Sequence, residues 1–156
     1  MSIAIDEFIA AARSVNPAAD IGACKVRTFG GSPAMANIII PLILTGQKTG
    51  TFAMLSEFEA NPAAAPQVGD DYVVTWFEGP PALLYRMTEV EIVPFEGINH
   101  EHVQVEGPGA RSVDAWRKIH WEYWGGMLRR QGREPSMGMP VVFHRFEVLY
   151  PLFPKN

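Results

Sequence analysis

Four segments with the composition of β-strands follow one another after residue 48, and this succession limits the possible folds more than any other feature. The segments are rich in β-branched and aromatic residues, and turn-forming residues separate them. The predicted strands are Thr49–Leu55, Tyr72–Phe77, Ala82–Val93 and Val141–Tyr150. A chain of 156 residues, of which 47% are hydrophobic, can bury such a sheet within one domain.

Two helical patterns precede the strands. Asp6–Arg13 predicts a short helix with an apolar stripe. Pro33–Thr45 is strongly apolar and predicts a second helix, which Gly46 can end. Helices packed on a mainly antiparallel sheet predict an α+β domain or a small barrel.

A longer helix is predicted between the last two strands, from Ser112 to Gln131. Ser112 can cap its first turn. Its apolar stripe, which we expect to pack in the core, consists of Trp116, Ile119, Tyr123 and Met127. The adjacent Gly125 and Gly126 weaken the helix interior and can break it there.

The composition excludes several classes of protein. Cys24 is the one cysteine, so no disulfide framework can form, and this favours the cytoplasm. The apolar start of the chain is interrupted by Asp6 and Glu7 and has no basic segment before it, so it does not predict a targeting signal. The longest apolar stretch, Ala34–Leu44, is shorter than the roughly 20 residues of a membrane helix. We therefore expect a cytoplasmic protein that does not enter a membrane.

The charges of the chain are unevenly distributed. The formal net charge of −4 disfavours binding to duplex DNA, because that affinity comes largely from basic side chains that neutralise phosphates. Residues 57–106 contain ten acidic residues and one arginine, whereas residues 111–133 contain six basic and two acidic residues. The basic segment is either a solvated helix face or a source of phosphate contacts beside a nucleotide pocket.

Lys48 and Thr51 are the first candidates for catalysis, at the junction of a predicted helix and a predicted strand. A turn at Thr49-Gly50 can bring the amine and the hydroxyl together, and a lysine kept neutral by burial can deprotonate a hydroxyl. Lys48 would then be the general base for a threonine nucleophile. The alternative is that Lys48 is a surface lysine favoured by the dipole at a helix C-terminus.

Glu106 is a further candidate, because it precedes a flexible glycine-rich turn. It can act there as a general acid or accept a hydrogen bond from an exocyclic amine, or it can be a carboxylate in solvent. The nearby His100 and His102, with His120, lack the defined spacing of a metal site. We therefore predict no metal and no other cofactor.

Aromatic and basic residues are interleaved along the predicted long helix. Such a pattern can stack a base while it holds a phosphate or a ribose, as in the recognition of single-stranded RNA. Arg117, His120, Trp121 and Trp124 lie off the predicted apolar stripe. The sequence leaves open whether these side chains bind a ligand or pack in the core.

Five segments together resemble the ASCH domain, a branch of the PUA-like superfamily. They are Leu44–Thr51, Val90–Phe95, Glu106–Gly109, Trp116–Trp121 and Val141–Leu149, and both their order and their spacing agree with the family. The resemblance implies an ASCH domain at residues 29–150, a helical N-terminal extension at residues 1–28 and a tail at residues 151–156.

The resemblance also implies a small PUA-like β-barrel with helices packed against it and a cleft for RNA or a nucleoside. Some family members are amidohydrolases that remove acyl groups from N4-acylated cytidines, some are reported as ribonucleases, and some are thought only to bind RNA. The catalytic set of the hydrolases is a lysine, a threonine three residues later and a downstream glutamate. These positions correspond to Lys48, Thr51 and Glu106. The candidate substrate-binding residues are Thr49, Arg117, His120 and Trp121.

We therefore expect a hydrolase that acts on a small N4-acylated nucleoside such as N4-acetylcytidine. Lys48 would act as general base, Thr51 as nucleophile, and Glu106 would protonate the leaving amine. The alternatives are an RNA-binding module without catalysis and a ribonuclease that cleaves single-stranded RNA. The net charge favours a small nucleoside over a long polyanion.

Overall fold

Helices and strands alternate along residues 2–152, the part of the chain that the structure, a computed structural model, describes. In chain order they are α1 (Ile3–Val15), β1 (Cys24–Thr28), α2 (Pro33–Leu44), β2 (Gly50–Met54), β3 (Asp71–Thr75), β4 (Pro81–Pro94), α3 (His100–Val103), α4 (Val113–Arg130) and β5 (Pro140–Tyr150). Most of the tail predicted at residues 151–156 lies outside the described residues. The predicted domain boundary at residue 29 stays a prediction; the segment before it contains α1 and also β1.

The strands found in residues 2–152 form one five-stranded sheet with the order β1-β3-β4-β5-β2. Strand β3 is parallel to β1 and antiparallel to β4, and Val73 lies opposite Val26 on one side and Leu84 on the other. Strand β2 is antiparallel to β5, with Phe52 opposite Phe143. The α+β class is therefore confirmed.

The predicted closure of the sheet into a β-barrel is wrong. A barrel requires the two end strands of a sheet to hydrogen-bond to each other. In the described residues β1 and β2 are the end strands, and each pairs with a single neighbour. The sheet therefore stays open.

Each of the four predicted strands is present with slightly different ends, but β1 was not predicted. Its sequence contains Lys25 and Arg27, and the residue between them, Val26, is 44% exposed. The strand therefore has little of the apolar alternation that marks a half-buried strand. Its formation depends on hydrogen bonds to the buried strand β3, which is distant in sequence.

The chain forms two compact units. The first is built from the described parts of Met1–Gly46, Gln67–Thr88 and Phe146–Asn156. In this unit the central strands are buried on both faces, because alternate residues pack with different helices. Val74 and Tyr85 pack with α2, whereas Val73 and Leu84 pack with α1.

The second unit contains Gln47–Pro66 and Glu89–Arg145. Its core is formed by β2, by parts of β4 and β5, and by α4. Phe52 lies near its centre, with its ring centroid 4.9 Å from that of Trp116 and 5.4 Å from that of Phe143. All the candidate catalytic residues belong to this unit.

Helix α4 buries only part of the apolar stripe predicted for it. Trp116 and Trp124 are 0% and 2% exposed, whereas Ile119 and Tyr123 are 47% and 55% exposed. The predicted burial of Trp116 is therefore confirmed, whereas that of Ile119 and Tyr123 is wrong. Both faces show apolar residues at helical spacing, and the face with two indole rings buries the larger apolar surface.

The predicted break at the two glycines of α4 is also wrong, since the helix continues from Val113 to Arg130. Gly125 is buried, and a Cβ added to it would lie 3.5 Å from Cγ of Pro135. Packing against the following segment offsets the poor helix propensity of glycine at this position.

None of the helices among residues 2–152 combines the length and the hydropathy needed to cross a membrane.

The two faces of α4 can be compared by substitution. We expect Trp124→Ala to lower the free energy of unfolding by about 3–5 kcal/mol, because it leaves a large cavity in the core. Tyr123→Ala should lower it by less than about 1 kcal/mol, because the ring is mostly in solvent. Urea unfolding measures both values, and equal losses would contradict the burial of the Trp124 face.

Candidate active site

A buried ion pair joins Lys48 and Glu106 in the second unit. Lys48 Nζ lies 2.8 Å from Glu106 Oε2, and the two side chains are only 5% and 11% exposed. Neither residue is the solvated surface charge that the sequence left open as an alternative. The desolvation of two charges can exceed their mutual attraction, so such a pair is poorly explained as a device for stability alone. The buried pair is therefore a candidate functional site.

The segment that contains Lys48 is held close to the segment that contains Glu106. The N–H of Thr49 donates a 2.9 Å hydrogen bond to the carbonyl of Val105. Gly50 permits this close approach, because a Cβ there would lie 2.9 Å from Cβ of Val105 and 2.5 Å from the carbonyl oxygen of His144. A side chain at residue 50 would therefore push the lysine segment away from the glutamate.

The turn before Glu106 begins with a capped helix. The side chain of Asn99 accepts hydrogen bonds from the N–H groups of Glu101 and His102, which caps α3. His102 accepts the N–H of Asn99 at Nδ1, and its Nε2 lies 3.2 Å from Glu91. The histidine next to the site therefore has a structural role. Within residues 2–152 no three His, Cys, Asp or Glu side chains are grouped so that they could hold a metal ion.

His120 adds a third polar group to the ion pair. Its Nδ1 lies 2.9 Å from the carbonyl oxygen of Trp116, and because a carbonyl only accepts, Nδ1 carries the proton. In the neutral ring Nε2 is then an acceptor, and it lies 4.0 Å from Glu106 Oε1. The ring stacks on Trp116 with 4.3 Å between centroids and also contacts Trp124.

The surroundings of His120 favour its neutral form. Burial lowers the pKa of His120 below its ordinary value of 6.5, and the charge of Lys48 acts in the same direction. The hydrogen bond to Trp116 and the charge of Glu106 raise this pKa, but they do not offset the burial. At neutral pH the imidazole therefore presents an unprotonated Nε2 beside Glu106.

Arg111 connects the backbone of the two segments that contain Lys48 and Glu106, a contact that the sequence did not predict. Its Nε donates to the carbonyl of Glu106 and its Nη2 to the carbonyl of Gln47, each at 2.7 Å. In the sequence Arg111 was only one member of the basic segment. Its second acceptor is 64 positions away, so no local pattern could identify the contact.

Thr51 lies on β2, half-buried and opposite His144 of β5. Side chains alternate between the faces of a strand, so Thr51 lies on the opposite face of β2 from Phe52. The ring of Phe52 contacts His120, with 5.8 Å between centroids. The role of Thr51 as nucleophile stays a prediction.

The other candidate substrate-binding residues, Thr49, Arg117 and Trp121, do not contact the Lys48–Glu106 pair in any of the hydrogen bonds described above. Thr49 is exposed beside Lys48. Arg117 and Trp121 line a different cavity, with a volume of about 270 Å³, and Arg117 Nη2 donates to the carbonyl of Glu96 at 2.8 Å. The other residues that line this cavity are Phe95, Lys118, Glu122 and Met137. The structure thus brings together Lys48, Glu106 and His120 and places Arg117 and Trp121 elsewhere on α4.

The arrangement offers acid–base chemistry at a buried site. An amine and a carboxyl group share a short hydrogen bond, and a neutral imidazole offers an acceptor next to the carboxyl group. Proton transfer between such groups provides general acid–base catalysis.

Comparison with protein families and solved structures identifies relatives. The family model of the ASCH domain matches residues 25–150. The crystal structure of an ASCH domain from Lactobacillus crispatus superimposes with a TM-score of 0.85 at 23% sequence identity, covering 97% of each chain. A protein from Enterococcus faecalis superimposes with a TM-score of 0.75 at 24% identity, covering 87% of this chain and 83% of that one. Comparison with curated protein sequences gave no match. Because the family model covers most of the chain and the solved structures share its fold, this protein belongs to the ASCH domain family.

Proposed function

We propose that the protein is a cytoplasmic amidohydrolase that removes the acyl group from a small N4-acylated cytidine-type nucleoside. Membership of the ASCH domain family suggests an RNA-binding or hydrolase-like role. The observation that supports the hydrolase is the buried hydrogen bond between Lys48 and Glu106. An RNA-binding surface has no need of a buried acid–base pair.

The pair can supply both the base and the acid that amide hydrolysis requires. Transfer of one proton along the hydrogen bond converts the ammonium group of Lys48 and the carboxylate of Glu106 into a neutral amine and a carboxylic acid. The 2.8 Å distance between Lys48 Nζ and Glu106 Oε2 gives this proton a direct path between the two groups. The amine is then a base, and the carboxylic acid is a proton donor.

In the first step the substrate transfers its acyl group to Thr51. The amine of Lys48 takes the hydroxyl proton while the oxygen attacks the acyl carbonyl. The tetrahedral intermediate collapses when the bond between the carbonyl carbon and N4 breaks. Glu106 gives its proton to N4, and the nucleoside leaves with a free amino group.

In the second step water releases the acyl group. The carboxylate of Glu106 takes a proton from a water molecule while the oxygen of that water attacks the ester carbonyl. The bond to the threonine oxygen breaks, and the ammonium group of Lys48 returns the proton to that oxygen. The net reaction consumes one water and yields a carboxylic acid and an amine, and the enzyme regains its starting protonation.

His120 fits a substrate-binding role in this reaction. Its unprotonated Nε2 and Glu106 Oε1 are two acceptors 4.0 Å apart. A group with two N–H or O–H donors, such as the released amine or the attacking water, can bridge them with hydrogen bonds of ordinary length. The two acceptors would therefore hold the group that exchanges protons with Glu106.

The first test of this proposal is deacylation of N4-acetylcytidine, followed by absorbance. We expect Lys48→Ala to reduce kcat/KM by about 100-fold to 10,000-fold, which is the usual contribution of a general base. Lys25→Ala is the matched control, because Lys25 also forms a 2.8 Å pair with a carboxylate, Asp70, but in the first unit and with a 42% exposed side chain. It should leave the rate unchanged.

The absence of turnover by the wild type, or equal rates for wild type and Lys48→Ala, would contradict the proposal. Salt-dependent binding of a single-stranded RNA oligonucleotide, weakened by Arg117→Ala but not by Lys48→Ala, would then favour the RNA-binding alternative. Cleavage of that oligonucleotide, lost in a site variant, would favour the ribonuclease.

The second test concerns the nucleophile. Thr51→Val retains the shape of the side chain but removes the hydroxyl, so we expect it to abolish acyl transfer to the enzyme. Thr51→Ser retains a hydroxyl and should preserve part of the rate. Mass spectrometry of the enzyme quenched during turnover measures the acyl adduct. An adduct that persists in Thr51→Val would show that another residue is the nucleophile.

The third test concerns the protonation of His120. Because burial lowers its pKa, we expect the ring to stay neutral below pH 6.5 with its proton on Nδ1. In the unfolded chain the ring has its ordinary pKa of 6.5 and therefore binds the second proton, which charges it, more tightly than in the folded protein. The stability that His120 contributes is consequently lost as the pH falls from 6.5 through the lowered pKa. Long-range proton–nitrogen NMR spectra, assigned with His120→Gln, measure both the tautomer and the midpoint. A proton on Nε2 would contradict the acceptor role.

A further inference from the structure

Arg111 makes two short hydrogen bonds at one place in the second unit. Nε donates to the carbonyl oxygen of Glu106 and Nη2 to that of Gln47, both at 2.7 Å. Gln47 directly precedes Lys48, so the two carbonyls belong to the segments that supply the two members of the ion pair. A single guanidinium group therefore links the backbone on both sides of the Lys48–Glu106 hydrogen bond.

This use of arginine suits its shape. The guanidinium group is planar, permanently charged and presents its donors in a fixed fork, so it holds two acceptors at a set separation. Hydrogen bonds from an ionised donor are shorter and stronger than those between neutral groups, in agreement with the 2.7 Å distances. Lysine presents a compact ammonium group on a flexible stem and cannot impose the same geometry.

Backbone contacts flank Lys48 on both sides. The N–H of Thr49 is bonded to Val105 on the strand side of Lys48. On the other side of Lys48, Arg111 donates a hydrogen bond to the carbonyl of Gln47. Both residues that adjoin Lys48 are therefore bonded to this part of the chain, Thr49 to Val105 and Gln47 to Arg111.

We propose that Arg111 is a positioning residue, which sets the distance between Lys48 Nζ and Glu106 Oε2 through the backbone. Its guanidinium group bonds to carbonyls rather than to the reacting side chains, so it acts through the residues that it holds. The effect on catalysis rests on the proposed hydrolase function, whereas the effect on the ion-pair distance does not.

The test compares Arg111→Ala with Arg13→Ala. Arg13 makes the same kind of contact in the first unit, where Nε donates to the carbonyl of Ile21 and Nη2 to that of Gly22, at 3.1 and 2.9 Å. Both variants lose two hydrogen bonds to backbone carbonyls, so both should lower the urea midpoint by similar amounts. Only Arg111→Ala should change the active site.

We expect Arg111→Ala to lower kcat by about tenfold to 100-fold with little change in KM, the effect of a small displacement of catalytic groups. Guanidinium chloride, at concentrations well below those that unfold the protein, should restore part of kcat by filling the vacated space. A crystal structure of the variant should show Lys48 Nζ more than 3.5 Å from Glu106 Oε2, beyond hydrogen-bonding distance. Arg111→Lys, which is more certain to fold, should lie between alanine and wild type.

An unchanged 2.8 Å pair in the Arg111 variants would overturn the inference, as would a loss of kcat in Arg13→Ala equal to that in Arg111→Ala. The two proposals fail separately. If wild-type protein does not hydrolyse N4-acetylcytidine, the proposed function is wrong, and the crystallographic distance in the variants still decides the role of Arg111.

Discussion

The buried hydrogen bond between Lys48 and Glu106 is the interaction on which the candidate site depends. Either charge alone at 5% or 11% exposure would be strongly destabilising, so each residue requires the other to be in place. Their segments are 58 positions apart in the chain and meet through backbone contacts. The N–H of Thr49, the missing side chain of Gly50 and the fork of Arg111 all act at this junction.

Helix α4 provides the environment of the pair. Its aromatic face surrounds His120 with the rings of Trp116 and Trp124, and this burial keeps the imidazole neutral next to Glu106. Another face of the same helix contributes Arg117 and Trp121 to a separate cavity. One helix thus separates a buried acid–base site from a more exposed surface that carries basic and aromatic residues. Because the two faces of α4 differ in this way, its basic and aromatic sequence is compatible with a hydrolase and with an RNA-binding protein.

Much of the fold could be predicted from local patterns, and the errors have a common cause. The four apolar strands and the helices were recognisable because their signals lie within a few neighbouring residues. Strand β1 was missed because its pairing with β3 depends on residues that are distant in sequence. The buried face of α4 was misassigned because two helical phases both place apolar residues at the right spacing, and only the surrounding core distinguishes Trp124 from Tyr123. Whether a sheet closes likewise depends on which strands become its edges.

The sequence by itself determined the α+β class, the resemblance to the ASCH domain and the choice of Lys48 and Glu106 as candidates, because residue type and spacing carry this information. Only the tertiary structure decided that the two side chains meet in a buried hydrogen bond, that His120 joins them as an acceptor and that Arg117 and Trp121 line another cavity. It also revealed the two hydrogen bonds of Arg111, whose acceptors are backbone carbonyls that any residue could supply. Such contacts depend on backbone position rather than side-chain identity, so the sequence contains no local sign of them.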